Sequence, residues 1–286
     1  MKITFKKLFE CTIEDILIAW NKGFEGYFVQ MDMTAELFFN RIVNEGLSLK
    51  HSIVAFDREE PIAIVLNGFR MIDGKKIAWN GGTGIATNYR GKGVSKLLME
   101  EVLKIYAEED IEMATLEAIK ENVRAIRLYE KFGYSITDSL VFLSGYPEKR
   151  LPWNTSIQTK IIRPEQLATF SFYKDNVPWQ CQWQSVKSGE AQIYLDKEQN
   201  TLGYSLFKRV WGQEGNLEKV YLYQSEICGD VSEEIIQGVI SSISEGESSP
   251  INFITINGSL SNPVIQYLLN HGFKVTTEQV QMVKKI

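Results

Sequence analysis

Arg90, Gly91, Lys92 and Gly93 form the group with the clearest capacity for chemistry. They follow a β-like run ending at Ile85 and lead straight into Val94, Leu97, Leu98, Val102, Ile105 and Tyr106, apolar residues at helical spacing. A glycine-bearing turn at a helix start presents unpaired backbone N–H groups and the positive end of the helix dipole. Such a turn suits a pyrophosphate. The plain alternative is a strand-to-helix turn with solvated lysines. It is not a Walker A loop, because the glycine spacing is missing and Gly93-Val94 stand where Lys-Ser/Thr would. A dinucleotide fingerprint is also absent. The three cysteines, Cys11, Cys181 and Cys228, are too scattered for a disulfide framework or a Cys-x-x-Cys metal site. His51 and His271, the only histidines, are too isolated for a zinc centre.

The turn must be held by a folded core, and the composition allows one. The 286 residues suffice for two domains, and 44% of them are hydrophobic. The net charge of -5, shared by both halves, argues against a nucleic-acid partner held by a basic surface. No secretory segment or bilayer-length apolar run is present, so the expected location is cytoplasmic, with no membrane partner.

A short strand over Lys2–Lys6 is expected first, then a helix started by Thr12 and another from Thr34 to Asn44. Ser52–Phe56 and Ile62–Met71 read as paired strands, and Asp73-Gly74 marks the hairpin into a strand over Lys76–Ile85. Gly81, Gly82 and Gly84 in that strand point to a bulge, or to close approach of a ligand or another backbone. After the helix beyond the glycine turn come a strand at Met113–Ile119, a helix at Val123–Phe132 and a strand at Ser135–Leu143. The fold class is therefore α/β (α+β), a mixed sheet flanked by helices. Tyr146–Trp153, with two prolines, is the linker candidate. The expected division is a first domain over 1–147, a linker over 148–156 and a second domain over 157–286.

These residues resemble the GNAT superfamily of acetyl-CoA-dependent N-acyltransferases. That family's pyrophosphate motif, Gln/Arg-x-x-Gly-x-Gly/Ala, is similar to Arg90-Gly91-Lys92-Gly93-Val94-Ser95, with serine in the last small position. A second signature appears as LEAIKENVRAIRLYEKFGY, supplying Glu117, Asn122, Ala125, Leu128, Tyr129, Gly133 and Tyr134. The resemblance covers roughly residues 1–145 and implies a splayed GNAT-like sheet.

It also implies roles. Backbone amides from Gly91 through Lys92, Gly93, Val94 and Ser95 to Lys96 would cradle the CoA pyrophosphate, with Arg90 fixing the turn. Ile85, Ala86 and Thr87 would pair with the pantetheine arm and polarise the thioester carbonyl. Asn122 would bond the cofactor, although an N-cap role suits it equally. Tyr129 would protonate the departing thiolate, since a tyrosine ordinarily holds its proton to pH about 10; its alternative is a core residue beside Ile126 and Phe132. Glu117 would deprotonate the acceptor, with Glu25 and Asp32 as rivals and a plain sheet-edge carboxylate as the alternative. Phe24, Glu25 and Tyr27 fall within the aromatic stretch from Trp20 to Met33, where the family builds its acceptor pocket; ordinary core packing accounts for that stretch equally well. The acceptor would be a small-molecule or peptide amine. A non-catalytic acyl-CoA sensor or scaffold is the alternative function, and a homodimer is a further partner to consider.

The second half repeats the element order. Gln192–Leu195 and Gly203–Phe207 form a hairpin, followed by a strand at Lys219–Ser225, a helix at Val231–Ile243, a strand at Ile251–Ile256 and a helix at Pro263–Asn270. VIQYLLNHGF echoes AIRLYEKFGY. QSEICGDVSEE replaces the phosphate turn, and Leu268 falls where Tyr129 would repeat. A degenerate GNAT-like domain, serving as a scaffold, is the expectation.

Overall fold

A computed structural model of the chain describes residues 2–147, 157–229, 231–244 and 251–286. The linker expected at 148–156 lies outside the described residues. Along the chain run β1 (Ile3–Lys7), α1 (Ile13–Gly23), α2 (Ala35–Glu45), β2 (Ile53–Asp57), β3 (Glu60–Ile72), β4 (Lys75–Ile85), α3 (Val94–Glu108), β5 (Met113–Ile119), α4 (Val123–Lys131) and β6 (Ser135–Gly145). There follow β7 (Gln158–Ile162), β8 (Glu190–Leu195), β9 (Thr201–Trp211), β10 (Leu217–Ile227), α5 (Glu233–Ile243), β11 (Asn252–Thr255), the two-residue β12 (Gly258–Ser259), α6 (Pro263–Asn270) and β13 (Lys274–Lys285). No described helix is long and apolar enough to cross a membrane.

The chain forms two compact units, Met1–Thr137 with Val280–Ile286, and Asp138–Gln279. The order of elements along the sequence places the last residues with the second half. Burial explains why they join the first: Val280 and Met282 lie in the same core cluster as Leu98, Met99 and Tyr129. The amide of Ile286 also bonds the carbonyl of Glu112 at 3.0 Å.

In the first unit the strands run β1-β2-β3-β4-β5, and the closing residues of β13 lie beside β5. Thr12 caps α1 by accepting from the Asp15 amide, and Asp15 returns the bond to the Thr12 amide. Thr34 caps α2, which ends on Gly46 in the left-handed conformation. Two features of β4 then set up the site. Leu66 pairs with Gly82 but Asn67 with Asn80, so Gly81 is an extra, bulged residue. The parallel pairing of β4 with β5 runs from Ile77–Met113 to Asn80–Leu116 and stops there, although both strands continue. Beyond Asn80 the strands part.

The close approach expected at the glycines is that of α1. A Cβ on Gly23 would stand 2.8 Å from the Gly84 backbone, and Trp20 and Phe24 pack over Gly82 and Gly84. The second unit repeats the pattern. Its strand order is β6-β11-β10-β9-β8-β7, with β10 and β11 parallel. Tyr194, Phe207, Val239 and Phe253 are wholly buried in its core.

Candidate active site

The gap between β4 and β5 opens into a cleft of about 830 Å³ in the first unit. Thr83 and Ile85 of β4, the turn at Arg90 and Gly91, and α4 with Asn122 and Tyr129 line it. Gly26, Tyr27 and Phe28 close the remaining side.

The glycine turn has the geometry an anion needs. Gly91 and Gly93 have φ of 79° and 85°, values that favour glycine, and Gly93 is the N-cap of α3. No side chain caps α3, and its first turn holds no acid. The helix's first internal bonds run from the amides of Lys96 and Leu97 to Gly93 O. The Lys96 amide, included in the expected cradle, is therefore committed to the helix; the amides ahead of it have no intrahelical acceptor. Val94 is buried and anchors the helix, so only its amide can face the turn. Ser95 lines the cleft. The Lys92 ammonium sits over the Tyr89 ring, and Lys96 pairs with Glu100 at 3.5 Å.

Arg90 uses its guanidinium within the protein. Nε donates to Ile85 O at 2.9 Å, and Nη2 donates to Gly23 O at 3.0 Å and Glu25 O at 2.9 Å. It thus ties the turn to the end of β4, to the last carbonyl of α1 and to the Glu25 carbonyl just beyond it, where a cation complements the negative end of the helix dipole. We expect Arg90→Ala to lower the stability of the first unit by about 1.5–3 kcal/mol or more, because it leaves three backbone carbonyls without their charged donor. Urea unfolding of the variant against wild type checks this.

The end of β4 differs from the expectation in one respect. The Ala86 amide donates to Ile62 O at 2.8 Å, turned towards β3, and Thr87 is exposed with its carbonyl taken by the Arg90 amide. Because strand amides alternate in direction, Thr83 and Ile85 face the gap instead. Arg124 and Arg127 were missed in the sequence. Both line the cleft, and a Cβ on Gly91 would meet Arg124 Nη2 at 3.4 Å. Their signal was basic residues three apart on the helix opened by Asn122.

Asn122 does cap α4, accepting from the Ala125 amide at 3.2 Å, while its side chain also bonds Tyr27. Tyr129 bonds Thr83 through its hydroxyl. Burial pushes the Tyr129 phenol up to about 12; the Thr83 bond opposes the rise and nearby Tyr27 adds to it. Burial likewise raises Tyr27, against the bond from Asn122. Tyr129 is thus a proton holder at neutral pH.

Other site candidates lie elsewhere. Phe24 is buried against Gly84, and Glu25 offers Arg90 its backbone carbonyl; neither lines the cleft. Glu117 is also absent from the cleft lining. Ala114, Leu116 and Ala118 pack into the core with Tyr129, so alternation turns Glu117 to the opposite face of β5. There its Oε2 accepts from Trp79 Nε1 at 2.7 Å.

The second unit keeps the bulge but closes the gap. Leu222 pairs with Phe207 and Gln224 with Leu206, which makes Tyr223 the counterpart of Gly81. The last β10–β11 pair, Leu222–Thr255, matches Asn80–Leu116. Side chains then stand where β4 has glycines. Gln224 bonds Cys181 O at 2.7 Å and accepts from Tyr204. Glu226 pairs with Lys174 at 2.6 Å and accepts from Asn262 at 3.0 Å. At α5, Ser232 caps the helix and Glu233 and Glu234 occupy the first turn, which repels an anion.

The first unit is thus a mixed α/β domain in which a strand gap faces an open helix N-terminus. Residues 14–134 match the acetyltransferase (GNAT) family, and the first unit belongs to that family. Over its whole length the chain is similar in fold to several solved proteins. A GCN5-related N-acetyltransferase from Sphaerobacter thermophilus is 13% identical over 99% of this chain and 95% of its own, with a TM-score of 0.66. A tandem GNAT protein from the clavulanic acid biosynthesis pathway is 10% identical over 99% and 98%, with a TM-score of 0.63. A putative acetyltransferase from Pyrococcus horikoshii is 15% identical over 100% and 89%, with a TM-score of 0.60. No curated protein matches the sequence.

Proposed function

We propose that the first unit transfers an acetyl group from acetyl-CoA directly to an amine, and that the second unit is a degenerate copy acting as scaffold. The observation that carries this reading is the uncapped α3 N-terminus beside a strand gap containing a buried, protonated tyrosine.

The residues present fit acetyl-CoA. The turn amides ahead of Lys96 and the Arg124 guanidinium suit the pyrophosphate. The gap-facing amides of Thr83 and Ile85 suit the pantetheine arm, as an added strand would. One of these amides also suits the thioester carbonyl, where a fixed donor stabilises developing negative charge. Tyr129 holds the proton for the departing thiolate. Glu117, on the opposite face at the point where the strands part, takes the proton from the ammonium, directly or through water. As the amine nitrogen bonds the acetyl carbon, the carbon–sulfur bond breaks, giving an amide and CoA thiol.

Calorimetry with acetyl-CoA, followed by thiol release with spermidine, phenylethylamine, an aminoglycoside and a peptide bearing a free N-terminus, tests the reading. We expect binding and amine-dependent release of CoA. Binding without such release favours an acyl-CoA sensor; no binding removes the proposal altogether.

A further inference from the structure

We propose that Trp79 is a positioning residue that holds the Glu117 carboxylate ionised and fixed at the point where β4 and β5 part. This rests on the base role given to Glu117 above.

Trp79 pairs with Thr115 in the parallel ladder, two residues before Glu117 on the same face of β5. Its ring is 2% exposed, and it passes across Gly81 to place Nε1 2.7 Å from Glu117 Oε2. The indole therefore bridges from β4 to β5 at the start of the gap. Gly81 leaves the space for it: a Cβ there would stand 2.6 Å from the ring. The bulge is itself secured, because Arg41 Nη2 donates to Gly81 O at 3.0 Å. Glu45 fixes that guanidinium at 2.7 Å, and Trp20 lies under it at 5.0 Å. Arg41 and Glu45 are the charged groups that α2 brings to this end of the gap.

A buried indole N–H needs an acceptor, and here that acceptor is a carboxylate. Such a bond stabilises the charged form of the glutamate and restricts its flexible side chain to one rotamer. An isolated core tryptophan would need neither a glycine bulge beneath its ring nor an arginine holding the bulge.

The test follows the Glu117 carboxyl by ¹³C NMR as a function of pH in protein labelled at the glutamate carboxyl carbon, with the resonance assigned from Glu117→Gln. Trp79→Phe removes the donor and keeps an aromatic ring. Gly81→Ala keeps the indole but displaces it, through a backbone that alanine accepts. In both variants the titration midpoint should rise by about one pH unit relative to wild type. Coincident midpoints in all three proteins overturn the proposal, and Gly81→Ala decides it should Trp79→Phe fail to fold. The titration requires neither acetyl-CoA nor an amine, so failed acyl transfer and a failed indole–carboxylate link give separate results. Full amine-dependent thiol release by Glu117→Gln would sink the base role, and the positioning role with it.

Discussion

Tyr129→Phe is expected to lower kcat about a hundred-fold and leave KM for acetyl-CoA nearly unchanged. General acid assistance from a positioned side chain is worth about 10²–10⁴ in rate, and phenylalanine removes only the proton donor. The ring stays packed in the core it shares with Val94 and Met282, and the lost Thr83 bond costs about 1 kcal/mol. A variant that folds, binds and fails to turn over is therefore the expected result. The pH behaviour supplies a second check. With its phenol raised by burial to about 12, Tyr129 keeps its proton across the ordinary assay range, so it contributes no alkaline limb there. The same shift has a stability consequence of definite sign. A group whose folded pKa lies above its unfolded value stabilises fully below pH 10 and loses that contribution as pH rises towards 12. Tyr129→Phe should thus lose less stability than wild type over that window in urea unfolding. An unaltered kcat would remove Tyr129 from the mechanism, whatever the unfolding data show.

The features legible in the sequence were those written in neighbouring residues. Glycines at 91 and 93, an asparagine opening a helix and a tyrosine seven residues later are local spacings, and each fixes local backbone or a helix face. The bulge was legible too, because glycines weaken a strand and cluster there only where the ladder is interrupted or another backbone comes close. Long-range partners were not. That Arg90 would turn its charge on the carbonyls of Gly23 and Glu25, rather than on a ligand, depends on where α1 ends in space. The same holds for the Ala86 amide, which β3 claims, and for Glu117, whose face is set by three small or apolar neighbours packing under α3 and α4. In the second half, the missing phosphate turn could be read directly. The filling of the gap by Gln224 and Glu226 could not, since only the register of β9 with β10 shows that these residues replace Gly82 and Gly84.

The least legible feature carries the other large effect: ending the chain after Gln279 should abolish acetyl-CoA binding, although no residue from 280 onwards lines the cleft. Val280 and Met282 are 6% and 0% exposed and share a core with Tyr129, Tyr134 and Leu98. Removing one such side chain costs about 2–5 kcal/mol in a large-to-alanine change, and the truncation removes both together with a strand beside β5. Folded domains hold only about 5–15 kcal/mol in reserve, so the first unit should lose its cooperative fold. Two side-chain bonds point the same way, because the hydroxyls of Ser135 and Thr137 donate to the carbonyls of Val283 and Gln281. Met282→Ala is the milder version, expected to lower stability by about 2–5 kcal/mol without emptying the cleft of any lining group. Urea unfolding with and without acetyl-CoA reads both proteins. A truncated chain that keeps the wild-type midpoint, and the shift that ligand binding adds to it, would show that the first unit is complete without the chain's last strand.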